Sequence, residues 1–387
     1  ALRGPVFSVV ILTACTFPLR VFTALLSGLQ DATFLGTVGL IEVILSSLLT
    51  FVLAWQGFGL YALAVGVALP PVFSAVAAVF RANLSFRRLL RGWPWPTRRL
   101  VGSLAVDGIG AWLSTVGFQL AAAADPVILS NAGLRSAVSS FVITSRLSLT
   151  LVHFVWILPD AALVGLAQLR AEGARDRTRE VVLAILRLNL ILAGAVACAV
   201  LAANAGFVRA WVGADLFSGA PLNALFAANA VLMTGIHGLV VISGVFGSRL
   251  TVGIVFVING LLHVLLASVL GRHIGVYGVC VATLLSGTVT ALPVGLSLLQ
   301  ANTGLSPGTV WAQVYWPWAC RFVPLAAVAY VLGAFAAGMP FGLLVLGCSG
   351  IGFAYLFAMK PLYVGLPLGP RLAGWLSKLG MLPRSTT

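Results

Sequence analysis

Long apolar segments alternate with short polar connections along the whole chain. Each apolar segment has about 20 residues or more, which is enough to cross the hydrocarbon core of a bilayer as a helix. The pattern predicts eleven spans, at roughly 5–29, 33–55, 58–80, 101–123, 139–168, 180–204, 221–247, 251–270, 275–299, 319–338 and 341–359. We therefore predict an all-α, polytopic membrane helical bundle with about 11 transmembrane helices.

A basic stretch at residues 81–100 separates the first three spans from the other eight. It contains no acidic residue, and Pro94 and Pro96 prevent one helix from running through it. Its six arginines are Arg81, Arg87, Arg88, Arg91, Arg98 and Arg99. With this stretch in the cytoplasm, seventeen Arg and Lys residues lie on the cytoplasmic side and four on the other. The positive-inside rule favours this orientation.

An internal repeat divides the chain further. The sequence LLSG at 25–28 has a counterpart, VISG at 241–244, 216 residues later. In both copies a span ends, a short turn follows and two more spans come after. The repeat indicates two pseudo-symmetric halves, in which the first three spans correspond to the seventh to ninth. Because the fourth to sixth spans have no counterpart, we expect three further helices upstream of Ala1.

These observations predict four regions. Three helices of an N-terminal half-bundle occupy 1–80, and the cytoplasmic basic linker occupies 81–100. A six-helix C-terminal half-bundle follows at 101–303, with two additional helices and a cytoplasmic tail at 304–387.

Composition and charge limit the kinds of partner that the chain is expected to bind. Charged residues make up only 8% of the chain and mean hydropathy is +1.08, whereas soluble domains are about 25% charged. The net charge of +14 lies in connections between spans, so it indicates membrane lipids and no nucleic acid as partner. The five cysteines have neither metal nor redox spacing, and we predict no metal site and no cofactor.

Two spans carry a polar stripe along one helical face. The stripe of the first span consists of Thr13, Thr16, Arg20 and Ser27. The stripe of the fifth span repeats every seven residues and consists of Ser139, Arg146, His153 and Asp160. Arg146 and Asp160 lie about 21 Å apart along a helix and cannot pair. Since a buried ionisable group costs about 2.5–3.5 kcal/mol or more, each needs another helix, water or cargo as partner.

Other spans contribute isolated polar side chains. These are Glu42, Asp107, His237, Asn259 and His263. Each of these residues has a structural explanation as an alternative to a functional one, because polar side chains in membrane helices commonly bond to neighbouring helices. Glu42 and Asp107 fit equally well as partners of nearby cations or as caps at a helix break. Asp125 precedes Pro126, and we interpret it as a turn or cap residue.

Four segments carry a resemblance to a known family: LLSGLQDATFLG at 25–36, ADPVILSNAGLRSAVSSFVITSRL at 124–147, ILPDAALVGLAQL at 157–169 and GVYGVCVAT at 275–283. Their order and spacing resemble Wzx-type polysaccharide or O-antigen flippases. These belong to the multidrug/oligosaccharidyl-lipid/polysaccharide exporter (MOP) superfamily, which also contains the MATE transporters. Two spans follow the expected twelve, as in the fourteen-helix members that include lipid II flippases.

The resemblance implies a function without covalent catalysis. It implies alternating access between two six-helix halves, which moves a polyprenyl-pyrophosphate-linked oligosaccharide outward across the bacterial cytoplasmic (inner) membrane. Arg20 and Arg146 would bind the anionic headgroup in a cationic lumen. The residues expected to line the same path are Thr16, His153, Asp160, His237, Asn259 and His263. Glu42 and Asp107 are candidates for coupling to H⁺ or Na⁺.

Two other function classes fit the sequence less well. A multidrug/cation antiporter of the same superfamily would need an acidic lumen, whereas the two polar stripes centre on arginines. A membrane enzyme, such as an O-antigen polymerase or ligase, would need a sizeable external loop. The longest external connection has about 16 residues, at 205–220, so we expect no enzymatic activity.

Overall fold

The computed structural model describes residues 3–29, 31–87, 97–336, 338–364 and 366, and within these residues it is helical without a strand. In this described part of the chain, eleven continuous helical segments are long and apolar enough to cross a membrane. The predicted all-α polytopic membrane bundle is confirmed. The chain forms two compact units, Ala1–Thr97 and Arg98–Thr387, which are described separately below. Much of the basic stretch and most of the tail, at 88–96 and 367–387, lies outside the described residues.

Within its described residues, the first unit contains four α-helices. They are α1 (Arg3–Thr16), α2 (Arg20–Gly28), α3 (Ala32–Trp55) and α4 (Leu60–Ser85). A 3₁₀ turn at Phe17–Leu19, which contains Pro18, joins α1 to α2, because proline interrupts the α-helical hydrogen-bond ladder. A buried row of small residues on α4 lets α3 approach closely, and Oγ of Ser46 donates to the carbonyl oxygen of Gly66 at 2.7 Å.

The second unit contains the remaining helices. They are α5 (Arg98–Ala123), α6 (Asp125–Asn131), α7 (Arg135–Glu172), α8 (Arg175–Val212), α9 (Ala220–Phe246), α10 (Arg249–Ile274), α11 (Val276–Ser286), α12 (Leu292–Thr303), α13 (Pro307–Val310), α14 (Trp316–Ala336) and α15 (Phe341–Tyr363). Two π-helical turns, Gly287–Ala291 and Trp311–Tyr315, join α11 to α12 and α13 to α14. The ninth and tenth spans therefore run continuously through three elements each.

Several helices are longer than the apolar pattern predicts. The fifth and sixth spans are α7 and α8, of 38 residues each, because both continue into arginine-containing turns beyond their apolar cores. The tenth span starts at Pro307 and not near 319. Oγ of Ser306 accepts from the amide of Thr309 at 3.1 Å, and proline suits the first helical position, so the helix begins there.

The core of the second unit surrounds α8. Helices α7, α9, α14 and α15 pack on it, so the two additional helices at 304–387 belong to the same compact unit. Buried asparagines connect these helices: Nδ2 of Asn204 donates to Oδ1 of Asn223 and to the carbonyl oxygen of Thr144, each at 2.8 Å. Oη of Tyr355 donates to the carbonyl oxygen of Ile191 at 2.7 Å. These bonds fix the rotation of each helix about its axis.

Candidate functional site

The polar stripe of the fifth span lies on one face of α7. Its four members, Ser139, Arg146, His153 and Asp160, are all exposed within the second unit. The opposite face of the same helix packs inward through Thr144, Ser148, Val152, Val155 and Pro159. A seven-residue spacing brings side chains back to the same helical face, which explains this division. The stripe is therefore free to border a cavity.

Arg146 lines a cavity of about 230 Å³, here called the Arg146 cavity. Its wall also contains Asp125, Asn229 and Thr283, from α6, α9 and α11. The structure describes all nine acidic side chains of the chain, and none lies within 4.0 Å of the Arg146 guanidinium. An unpaired cation in a spanning helix can bind an anion that enters the cavity.

Asp125 is held in this wall by a histidine from another helix. Its Oδ1 lies 2.7 Å from Nε2 of His263, while Nδ1 of the same ring lies 3.4 Å from Oγ1 of Thr283. The Asp125 side chain is only 16% exposed. Burial raises its pKa above the ordinary value, and the hydrogen bond and charge of His263 oppose that rise. Asp125 begins α6, but it is also a partly buried member of the cavity wall, which a turn or cap role alone does not include.

His263 is expected to line the transport path, but in the structure it lies behind the wall of the Arg146 cavity. The side chain is fully buried and is not among the residues that line the Arg146 cavity. The physical reason is helix rotation, because α10 turns His263 toward α6 and α11. The position of His263 suits a role in orienting Asp125 and Thr283, which do line the cavity.

A second cavity, of about 290 Å³, adjoins the first and is called the Trp156 cavity. The two share Ala121, Met233 and Thr283 in their walls. His237 and Asn259 line it, and Thr290 donates to Oδ1 of Asn259 at 2.8 Å. Polar and aromatic side chains therefore border one continuous region of the second unit.

An aromatic stack forms the wall of the Trp156 cavity. The ring of His237 stacks on Trp156 with centroids 4.3 Å apart and an interplanar angle of 10°. The ring of His153 lies 5.0 Å from Trp156, and Nε2 of His237 lies 3.1 Å from Oδ1 of Asp160. The stripe on α7 thus binds α9 through His237. Trp156 was not singled out from the sequence, although its positions three after His153 and four before Asp160 place all three on neighbouring faces.

The first unit has a cavity of its own. It measures about 360 Å³ and is lined by Arg20, Ser27, Glu42 and Ser74, among others. Oγ of Ser74 donates to Oε2 of Glu42, and no carboxylate of the described chain lies within 4.0 Å of Arg20. The predicted binding residue Arg20 and the predicted coupling residue Glu42 therefore share one cavity, here called the Arg20 cavity.

Five of the expected site residues line none of the three cavities: His153, Asp160, His263, Thr16 and Asp107. Thr16 is buried and does not line the Arg20 cavity, since its hydroxyl donates to the carbonyl oxygens of Leu12 and Thr13 at 2.9 and 3.0 Å. Such bonds to the preceding turn are typical of threonine in a helix near a break. Asp107 is exposed on α5 and lines none of the three cavities. Its predicted coupling role stays a prediction.

Comparisons with protein-family models, with curated proteins and with solved structures found no match to this chain. Within the described residues, no group of three or more His, Cys, Asp or Glu side chains is arranged to hold a metal ion. The resemblance to the Wzx-type flippases therefore depends on the four sequence segments alone and stays a hypothesis.

Proposed function

We propose that the chain is a membrane transporter that flips a polyprenyl-pyrophosphate-linked oligosaccharide across the bacterial cytoplasmic membrane by alternating access. One observation carries the proposal. Arg20 and Arg146 lie in spanning helices, each lines a cavity in its own unit, and neither has a carboxylate partner within 4.0 Å. An unpaired cation in a spanning helix costs stability. Binding of an anionic cargo would explain why the chain contains such cations.

A pyrophosphate is the anion that suits these residues best. The planar guanidinium presents paired N–H donors that match two oxygens of one phosphate group. Both cavities are near the lower end of the usual range for ligand sites, about 300–1,000 Å³. Each is large enough for a phosphate group or a single sugar, so a longer glycan must extend beyond it.

The Trp156 cavity suits the sugar part of the cargo. A sugar ring has an apolar face and hydroxyl groups at its edge, and this cavity offers flat aromatic surfaces beside hydrogen-bonding side chains. Asn259 and His237 supply polar groups. This cavity adjoins the Arg146 cavity, so a headgroup at Arg146 would place its first sugar within reach.

A multidrug/cation antiporter is the second candidate, favoured by the carboxylates in the same regions. Glu42 lines the Arg20 cavity, and the side chain of Asp160 is 51% exposed beside His237. A cationic drug would pair with these groups. Lipid II flipping is a variant of the main proposal, since lipid II presents the same pyrophosphate.

The test is reconstituted flipping of a fluorescent polyprenyl-pyrophosphate oligosaccharide by the purified full-length chain in proteoliposomes. Arg146→Glu should reduce the flipping rate at least tenfold, because a hydrogen bond to a charged group contributes about 1.5–3 kcal/mol. Arg146→Lys should retain part of the rate. Arg135→Glu is the matched control, since Arg135 is an exposed arginine at the start of the same helix and lines neither cavity.

Three results would decide between the candidates. Normal flipping by folded, inserted Arg146→Glu protein would remove the arginine from the mechanism. Export of a cationic dye without lipid flipping would support the antiporter. Flipping of lipid II in preference to other pyrophosphate-linked glycans would assign the cargo to that class.

A further inference from the structure

A third cavity of the second unit lies at the helix ends, and it shares no lining residue with the Arg146 and Trp156 cavities. Its volume is about 490 Å³. Three arginines line it: Arg170 in the last turn of α7, Arg175 in the first turn of α8, and Arg179 one turn further along α8.

Two of these arginines are held in place by backbone carbonyls. Nη1 of Arg170 donates to the carbonyl oxygen of Val245 near the end of α9. Nε of Arg179 donates to the carbonyl oxygen of Thr303 at the end of α12, at 2.8 Å. Basic side chains often serve helix C-termini in this way. Each guanidinium uses one N–H group for this bond and retains others for a ligand.

Arg175 does not bond to a helix end in this way. Its side chain makes no hydrogen bond or ion pair with any described residue. It also belongs to the first turn of α8, where the helix dipole favours an anion. A cation with no partner therefore adjoins a helix end that attracts negative charge.

A glycine makes room for Arg179 in the wall of the cavity. Gly304 follows α12 with a φ of +72°, and a Cβ atom there would collide with the Arg179 guanidinium. Glycine adopts this backbone conformation without strain and leaves the space open. The wall also contains Asn302, whose Nδ2 is enclosed and has no partner in the described structure.

Acidic groups do not neutralise the cavity. Asp176 is the nearest carboxylate, with its Oδ1 3.9 Å from Nη1 of Arg179, and its side chain is 97% exposed. Glu172 and Glu180 are exposed as well, and none of the three lines the cavity. The cationic character of the cavity is therefore largely retained.

The cavity lies where four spans reach the membrane surface. Helix α7 ends beside it, α8 begins there, and α9 and α12 end there. By the alternation of spans, this is the side predicted to be cytoplasmic. Basic pockets between membrane helices on the cytoplasmic side bind anionic lipid headgroups.

We propose that Arg170, Arg175 and Arg179 form a binding site for a phosphate group at the membrane surface, separate from the Arg146 and Trp156 cavities. The phosphate belongs either to an anionic lipid headgroup or to a small phosphate in solution. The proposal does not depend on the flippase function, because it concerns another cavity and is tested by binding alone.

The experiment measures binding to the purified full-length chain in detergent. The probes are short-chain phosphatidylglycerol, phosphatidylcholine with the same acyl chains, and inorganic phosphate. Arg175→Gln should weaken phosphatidylglycerol binding about fivefold, the usual effect of one basic residue at an anionic surface. Arg177→Gln is the matched control, because Arg177 is exposed in the same turn of α8, carries the same charge and does not line the cavity.

A second variant keeps every charge. Gly304→Ala should displace the Arg179 guanidinium and weaken the same binding, and thermal melting verifies that each variant remains folded. Arg175-dependent binding of phosphatidylglycerol without competition by inorganic phosphate assigns the site to a lipid. Arg175-dependent binding of inorganic phosphate assigns it to a soluble anion. Equal losses in Arg175→Gln and Arg177→Gln, or equal binding of phosphatidylcholine and phosphatidylglycerol together with no binding of inorganic phosphate, would overturn the proposal.

Discussion

Glycines on α5 and α10 allow these two helices to pack closely. This contact allows a quantitative prediction. Gly110 and Gly117 lie seven residues apart on α5, opposite Gly253 and Gly260 on α10. A Cβ atom on Gly117 would collide with the backbone of Phe256. Small residues at this spacing let two membrane helices approach until their backbones touch, which is where their attraction originates.

Gly117→Ala sets two effects against each other. Replacing a helical glycine by alanine stabilises the helix itself by about 1 kcal/mol. Overpacking against a rigid neighbour costs about 1–3 kcal/mol, and a backbone cannot move aside as a flexible side chain does. The expected net change runs from about zero to a loss of about 2 kcal/mol. Gly108, also on α5, has no atom within 4 Å of its virtual Cβ, so Gly108→Ala keeps only the favourable effect.

Unfolding of the two variants in mixed micelles measures this difference. We expect Gly108→Ala to be at least as stable as the parent chain and Gly117→Ala to be about 1–3 kcal/mol less stable than Gly108→Ala. The effect should extend to function, since α5 and α10 supply Phe118 and Asn259 to the Trp156 cavity. Equal stability of the two alanine variants would show that the close contact of α5 and α10 contributes nothing.

Three further predictions concern polar groups. Because burial raises the pKa of Asp125, the folded chain holds a proton that the unfolded chain releases, and stability should fall as pH rises from about 4 through the folded pKa. Asp125→Asn should remove this part of the pH dependence of thermal melting, and a curve parallel to the parent would contradict it. Asp160→Asn removes the charge beside His237 and should lower flipping severalfold without a loss of folded protein. Asn204→Leu leaves Asn223 without its buried donor and should cost about 1–3 kcal/mol in unfolding assays, with flipping reduced only as far as folded protein is lost.

Hydrophobic length and helical period were enough to predict the architecture from the sequence. The eleven spans follow from segment length, because a bilayer requires about 20 apolar residues in each. The shared face of Arg146, His153 and Asp160 follows from their seven-residue spacing, which any α-helix maintains. Both properties depend only on residues that are near one another in the sequence. They therefore do not require contacts between helices.

Only the tertiary structure decided which faces meet. Asp125 pairs with His263 and Asp160 with His237, although 138 and 77 residues separate the partners. The helical period gives the face on which a residue lies, but the crossing and rotation of two helices determine what that face contacts. For this reason only the placement of α9 beside α7 showed that Trp156 belongs to a cavity wall, and only the rotation of α10 showed that His263 does not.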